Sequence, residues 1–190
     1  ILKRIMYKAI LLKDKDSEPL ISTISTEDLP SGDVTIQVEY STINYKDSLA
    51  LIKKNPIIRK FPMVPGIDLV GKVIESTNPR FICDQKVLLN GWGVGESHWG
   101  GYSQIARVNS DWLIPLPSGM SSKTAMAIGT AGYTAMLSLI KLENHGVSPS
   151  DGKILVTGSS GGVGSFSIAL LTANGFDVVA CTGKKNEHHY

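Results

Sequence analysis

The chain has 190 residues, 42% of them hydrophobic and 19% charged, which suffices for a buried core and argues against disorder. A formal net charge of +2 falls short of the concentrated basic stripe that a phosphate backbone demands, so nucleic acid is not an implied partner. The only two cysteines, Cys83 and Cys181, exclude a disulfide framework and a four-thiolate zinc site, and fit a reducing, cytoplasmic setting.

Met6 reads as a natural start, and 1–5 are set aside as an upstream prefix. No apolar run is expected to approach the roughly 18 residues of a membrane span, and no signal peptide opens the chain, so a soluble protein is expected. The first strand is expected at 7–12. A second at 34–40 alternates Val34, Ile36, Val38 and Tyr40 with Thr35, Gln37 and Glu39. Pro30, Ser31, Gly32 and Asp33 form a turn cluster between them, and a hairpin-like return is expected there. Strands at 69–76, 85–90 and 101–108 complete a mainly β domain over 6–123.

Near Ser121 the character changes to helix formers. A helix over 130–144 is stopped by Gly146 and Pro149, and a strand over 153–157 follows. After Gly158 to Gly164 comes a helix with Val163, Phe166, Leu170 and Ala173 on one face, then a strand over 177–181. This β-loop-α-β order opens a nucleotide-binding sheet, and 124–190 forms the second domain.

The loop Gly158-Ser159-Ser160-Gly161-Gly162-Val163-Gly164 lies where a helix dipole and unpaired N–H groups favour an anion such as a pyrophosphate. It departs from strict G-x-G-x-x-G, since Ser159 stands ahead of Gly161 and Gly164, and a merely tight turn is the alternative. The residues expected to hold the cofactor here are Ser160, Gly161, Gly162 and Val163. About 20 residues beyond such a loop, an acid would bind a ribose 2′-OH. The chain has instead Thr182, Gly183, Lys184 and Lys185, which suit a 2′-phosphate and so NADPH over NADH. A solvated turn is the plainer reading of the two lysines.

Asn44-Tyr45-Lys46-Asp47, Pro65-Gly66-Ile67-Asp68, Gly91 to Glu96, His98-Trp99-Gly100-Gly101, Gly129 to Ala135 and the glycine loop occur in this order in acrylyl-CoA reductases. The chain resembles that branch of the zinc-free medium-chain dehydrogenase/reductase superfamily, which also includes quinone oxidoreductases. The resemblance implies an α/β protein: a GroES-like, partly open β-barrel catalytic domain followed by the first part of a Rossmann fold, with the active site in the cleft between them. It implies NADPH-dependent reduction of acryloyl-CoA or a similar enoyl thioester. The alternatives are a quinone or enone reductase, or a protein that holds NADPH without notable turnover.

Relatives run on beyond this point, so the resemblance implies an amino-terminal fragment that is inactive alone, and a homodimer for the full-length protein. Tyr45 is expected beside the nicotinamide, as a cofactor contact and catalytic residue that orients the ring or donates a proton. The alternative is a phenol satisfying a buried backbone group. Tyr45-Lys46-Asp47 and Gly66-Ile67-Asp68 stand where zinc-dependent relatives carry ligands, and no catalytic metal is expected. Asp47 and Asp68 are expected to hold Lys46 or loop N–H groups. His98 is expected to be packed or hydrogen-bonded, and Trp92 and Trp99 to pack within their loop or line the substrate cleft.

Overall fold

The computed structural model describes residues 4–52 and 56–184. The chain divides into two compact units, Ile1–Gly129 and Thr130–Tyr190. In the first unit, β1 (Met6–Leu11) and β2 (Leu20–Ser25) form an antiparallel hairpin. A five-stranded antiparallel sheet runs in the order β6-β3-β4-β5-β7, with β3 at Val34–Tyr40, β4 at Asp68–Ser76, β5 at Lys86–Asn90, β6 at Ile105–Val108 and β7 at Ile114–Pro115.

The alternation of β3 turns Val34 and Ile36 into a core shared with Leu69, Val73, Val87, Leu89 and Val108. Each such side chain contributes about 1.5 to 3 kcal/mol on burial. The opposite face of β4 places Val70 with Leu88, Ala125 and Met126.

The hairpin expected between the first two strands is replaced by a different pairing. β1 folds back on β2 through Asp14 and Ser17, whose side chains bind the turn backbone at 2.7 to 3.0 Å. Pro30 to Asp33 instead lead β3 into the five-stranded sheet, where its partners are β4 and β6. A short helix not expected from the sequence, α1 (Tyr45–Leu51), follows β3.

Helix α2 (Ser122–Asn144) begins earlier than expected and is broken at Gly129, whose φ of 50° and ψ of −160° are not helical. That conformation is essentially restricted to glycine. By length and composition α2 is apolar enough to cross a membrane, against the expectation that no such run exists. The break at Gly129 divides it into two shorter helices, one closing the first unit and one opening the second.

The second unit contains β8 (Ile154–Thr157), α3 (Gly162–Ala173) and β9 (Val178–Cys181), with β8 and β9 parallel. Leu171 of α3 packs with Leu139, Val156 and Phe176, joined by Ile168 and Leu170. The face expected for α3 is met in part: Leu170 packs on this core and Phe166 is half-buried, but Val163 is 42% exposed and Ala173 is also exposed, while Gly164 and Leu171 are buried. Apolar residues surround this helix, so periodicity alone does not choose its face.

Candidate functional site

The glycine loop is built by close backbone approach. Ser159 N–H donates to Cys181 carbonyl at 3.1 Å, which carries the β8–β9 ladder one residue further, and Gly161 N–H donates to Gly158 carbonyl at 2.9 Å, which closes the turn. Gly164 must be glycine, because a Cβ there would lie 2.3 Å from the Gly158 carbonyl oxygen and 2.7 Å from Ser159 Cα. Helix α3 therefore starts directly over the end of β8.

Gly161 caps α3 without a side-chain hydrogen bond, and no acid stands in the first turn. The N–H groups of Gly162, Val163 and Gly164 have no acceptor inside the helix. With the positive end of the helix dipole behind them, they form a site for an anion.

Beside this loop, Ser160 Oγ and Thr182 Oγ1 are 3.1 Å apart, and Lys184 N–H donates to Thr182 Oγ1 at 3.2 Å. The structure thus brings Ser160 and Thr182 together across the β8 and β9 ends, and turns the backbone after β9 so that Lys184 follows at once. Gly183 has open space around its Cα, and Lys184 is exposed. Lys185 lies outside the described residues.

Tyr45 opens α1 in the first unit with its side chain 80% exposed. Exposure contradicts the alternative of a phenol satisfying a buried backbone group; Tyr102 does that instead, donating to Thr42 carbonyl at 3.1 Å. Asn44 caps α1, and a capping box joins it to Asp47. Asp47 Oδ2 accepts from Asn44 N–H at 2.9 Å and from Asn44 Nδ2 at 3.1 Å, and Asp47 Oδ1 accepts from Ile67 N–H at 3.0 Å.

Asp68 Oδ2 accepts from Asn44 Nδ2 at 2.9 Å and Asp68 Oδ1 from Asn90 Nδ2 at 2.8 Å. Both carboxylates are buried. Burial pushes the Asp47 carboxyl above its ordinary value, against the lowering effect of its hydrogen bonds from Asn44 and Ile67. Asp47 thus holds a loop N–H as expected, whereas Lys46 pairs with Glu96 rather than with either aspartate.

His98 is packed: Nε2 lies 2.7 Å from the Arg107 carbonyl oxygen, and its ring meets Trp112 edge-on at 5.1 Å. Burial lowers its pKa. Trp99 donates from Nε1 to Pro62 carbonyl at 2.8 Å and packs on the core of β1 and β2, while Trp92 stands 64% exposed. Among the described residues, no group of three or more His, Cys, Asp or Glu side chains is placed to hold a metal ion.

Sequence reasoning missed Asn44, Asn90 and Glu96 as members of the polar network under Tyr45. The signal available for Asn44 was its spacing of three residues from Asp47, an N-cap pattern.

A family model for the alcohol dehydrogenase GroES-like domain matches residues 30–118. The probable acrylyl-CoA reductase AcuI of Escherichia coli (strain K12) is 53% identical over 96% of this chain and 57% of its own length. The putative quinone oxidoreductase YhfP of Bacillus subtilis is 48% identical over 90% of this chain and 52% of its own length.

Among solved structures, E. coli K-12 YhdH with bound NADPH superposes with a TM-score of 0.91 at 53% identity, covering 96% of this chain and 57% of that one. B. subtilis YhfP with NAD bound gives a TM-score of 0.91 at 44% identity, covering 98% and 57%. The chain spans little more than half the length of the curated relatives it matches. With a GroES-like domain followed by the first part of a Rossmann fold, it belongs to the medium-chain dehydrogenase/reductase family, whose amino-terminal portion it covers.

Proposed function

We propose that this chain carries the cofactor-binding loop and part of the catalytic surface of an NADPH-dependent reductase acting on the carbon–carbon double bond of acryloyl-CoA or a similar enoyl thioester. The observation that carries the reading is the start of α3, without an acid or a side-chain cap, beside the paired hydroxyls of Ser160 and Thr182. These residues fit the cofactor's phosphates, because the space a Cβ at Gly164 would fill is needed for the turn that presents the N–H groups.

Ser160, Gly161, Gly162 and Val163 would hold the pyrophosphate through N–H groups and a hydroxyl. Thr182, Gly183 and Lys184 would hold the 2′-phosphate, the lysine supplying a charge-assisted hydrogen bond. Tyr45 is assigned to the nicotinamide end, its exposed phenol orienting the ring or donating a proton. When bound, the dihydronicotinamide supplies a hydride to the β-carbon of the enoyl thioester, and a proton reaches the α-carbon.

The chemistry proposed needs no zinc: hydrogen-bond donors polarise a thioester carbonyl as charge develops on its oxygen. Asp47 and Asp68 are already committed to Asn44, Ile67 and Asn90. A cytoplasmic homodimer is the state proposed for the full-length protein, on the two exposed cysteines of this chain, which form no disulfide, and the general preference for two-fold assemblies.

The similarity to a putative quinone oxidoreductase at 48% identity favours a second reading, in which the same cofactor site serves a quinone or enone. Comparison of kcat/KM for acryloyl-CoA and for a small quinone, followed by NADPH absorbance on the full-length protein, separates the two. A preference for the thioester supports the proposal; a preference for the quinone favours the alternative.

A further inference from the structure

Tyr45 has little of its own to hold it in place. It is the first residue of α1, which runs only from Tyr45 to Leu51, and its ring is 80% exposed. So short a helix has no stability in isolation. The position of the phenol is therefore set by whatever fixes the first turn of α1 to the sheet.

Asp68 provides that fixing. It is the first residue of β4, in the middle of the five-stranded sheet, and is fully buried. Its Oδ2 accepts from Asn44 Nδ2 at 2.9 Å, and Asn44 caps α1 immediately before Tyr45. Its Oδ1 accepts from Asn90 Nδ2 at 2.8 Å, at the end of the neighbouring strand β5. Its backbone carbonyl accepts from Ser41 Oγ at 2.7 Å, which ties down the chain entering α1.

The other hydrogen on Asn44 Nδ2 goes to Asp47 Oδ2 at 3.1 Å, so both donors of that amide are directed at carboxylates. The amide is locked in one orientation, because turning it over would set an oxygen against two carboxylate oxygens.

We propose that Asp68 is a positioning residue of the active site, acting through Asn44 to hold the first turn of α1 and thereby the phenol of Tyr45. This rests on the proposed role of Tyr45 at the nicotinamide end. What the site requires of Asp68 is an acceptor toward Asn44, not a negative charge. An asparagine at this position keeps one such acceptor and offers an amide donor that Asn90 meets by turning its own amide, whereas an alanine keeps neither.

The test is a double-mutant cycle on the full-length protein, reading kcat for NADPH oxidation with saturating acryloyl-CoA. Fluorescence-detected binding of adenosine 2′,5′-bisphosphate, which lacks the nicotinamide end, serves as a control that the glycine loop is intact. Asp68→Ala is expected to lower kcat by about tenfold or more, since misplacement by an ångström is enough to cost on the order of 100-fold, with binding of the bisphosphate unchanged. Asp68→Asn is expected to stay within about threefold of the unmutated kcat, and Asp68→Ala to add little in a Tyr45→Ala background, because coupled residues do not add.

Should Asp68→Ala fold poorly, Asn44→Ser keeps a helix cap and a donor for Asp47, loses the contact to Asp68 and is expected to show the same coupling to Tyr45. A Tyr45→Ala variant that turns over normally overturns the role assigned to Tyr45, and this inference with it. If Tyr45→Ala is impaired but Asp68→Ala is not, or the two losses multiply, or Asp68→Asn is as impaired as Asp68→Ala, only the positioning role is overturned.

Discussion

Gly164→Ala should damage both the second unit and its affinity for NADPH, and the structure fixes how much relief is available. The added Cβ would meet the Gly158 carbonyl oxygen at 2.3 Å and Ser159 Cα at 2.7 Å. Both are backbone atoms of the turn, so no flexible side chain can move aside. Relief requires shifting α3 away from β8, and α3 anchors Leu171 in the core with Leu139, Val156 and Phe176.

Overpacking of this kind costs about 1 to 3 kcal/mol. If the loop carries the strain, that corresponds to a loss in NADPH affinity of about 5- to 150-fold. Gly183→Ala is the internal control for the stability effect alone, since nothing lies within 4 Å of a Cβ there. Thermal unfolding and NADPH fluorescence titration on the full-length protein measure the two effects. Gly164→Ala with unchanged melting temperature and unchanged NADPH affinity would refute the reasoning.

Lys184→Ala should weaken NADPH by about 10- to 150-fold, the loss of a charge-assisted contact of roughly 1.5 to 3 kcal/mol, and leave NADH nearly unaffected; isothermal titration with both cofactors checks it. Burial lowers the His98 pKa below its ordinary 6.5, so the unfolded chain binds the proton more readily and stability is lost as pH falls through and below 6.5. Denaturant unfolding between pH 5 and 8 should show that slope, flattened in His98→Gln.

The Asp47 carboxyl is shifted the other way, above 3.8 and chiefly by burial. Its contribution therefore runs opposite, declining as pH rises from 3.8 through the folded value. Asp47→Ala leaves the N–H groups of Asn44 and Ile67 unmatched and should cost about 2 to 4 kcal/mol in urea unfolding; a loss below 0.5 kcal/mol would count against the capping network.

The second unit was the more legible part of the fold. A buried strand, a glycine turn, a helix start and a second strand follow one another without interruption, and β8, α3 and β9 lie within a residue or two of their expected ends. What stayed hidden depends on tertiary choice. β2 has Leu20 and Ile21 exposed, so its composition gives no buried alternation, and nothing local says that β1 pairs with it rather than with β3.

α1 is too short for its period to register, and its start is written in Asn44 and Asp47 rather than in apolar spacing. The break in α2 is signalled by Gly129 alone, in an otherwise helical run. At the candidate site, the glycine turn and its nearness to Thr182 follow from the β-loop-α-β order, which brings the ends of β8 and β9 together. The links of Asn44 to Asp68, Asp68 to Asn90 and Lys46 to Glu96 were not, since strand pairing and loop closure bring together residues far apart in sequence.

The most direct measurement of the central claim is the ratio of dissociation constants for NADH and NADPH in the unmutated full-length protein at fixed ionic strength. A turn that puts Thr182, Gly183 and Lys184, and no acid, directly at the end of β9 predicts tighter binding of NADPH by tenfold or more, from about 1.5 to 3 kcal/mol of charge-assisted contact. Equal affinity for the two cofactors, or tighter binding of NADH, would contradict it.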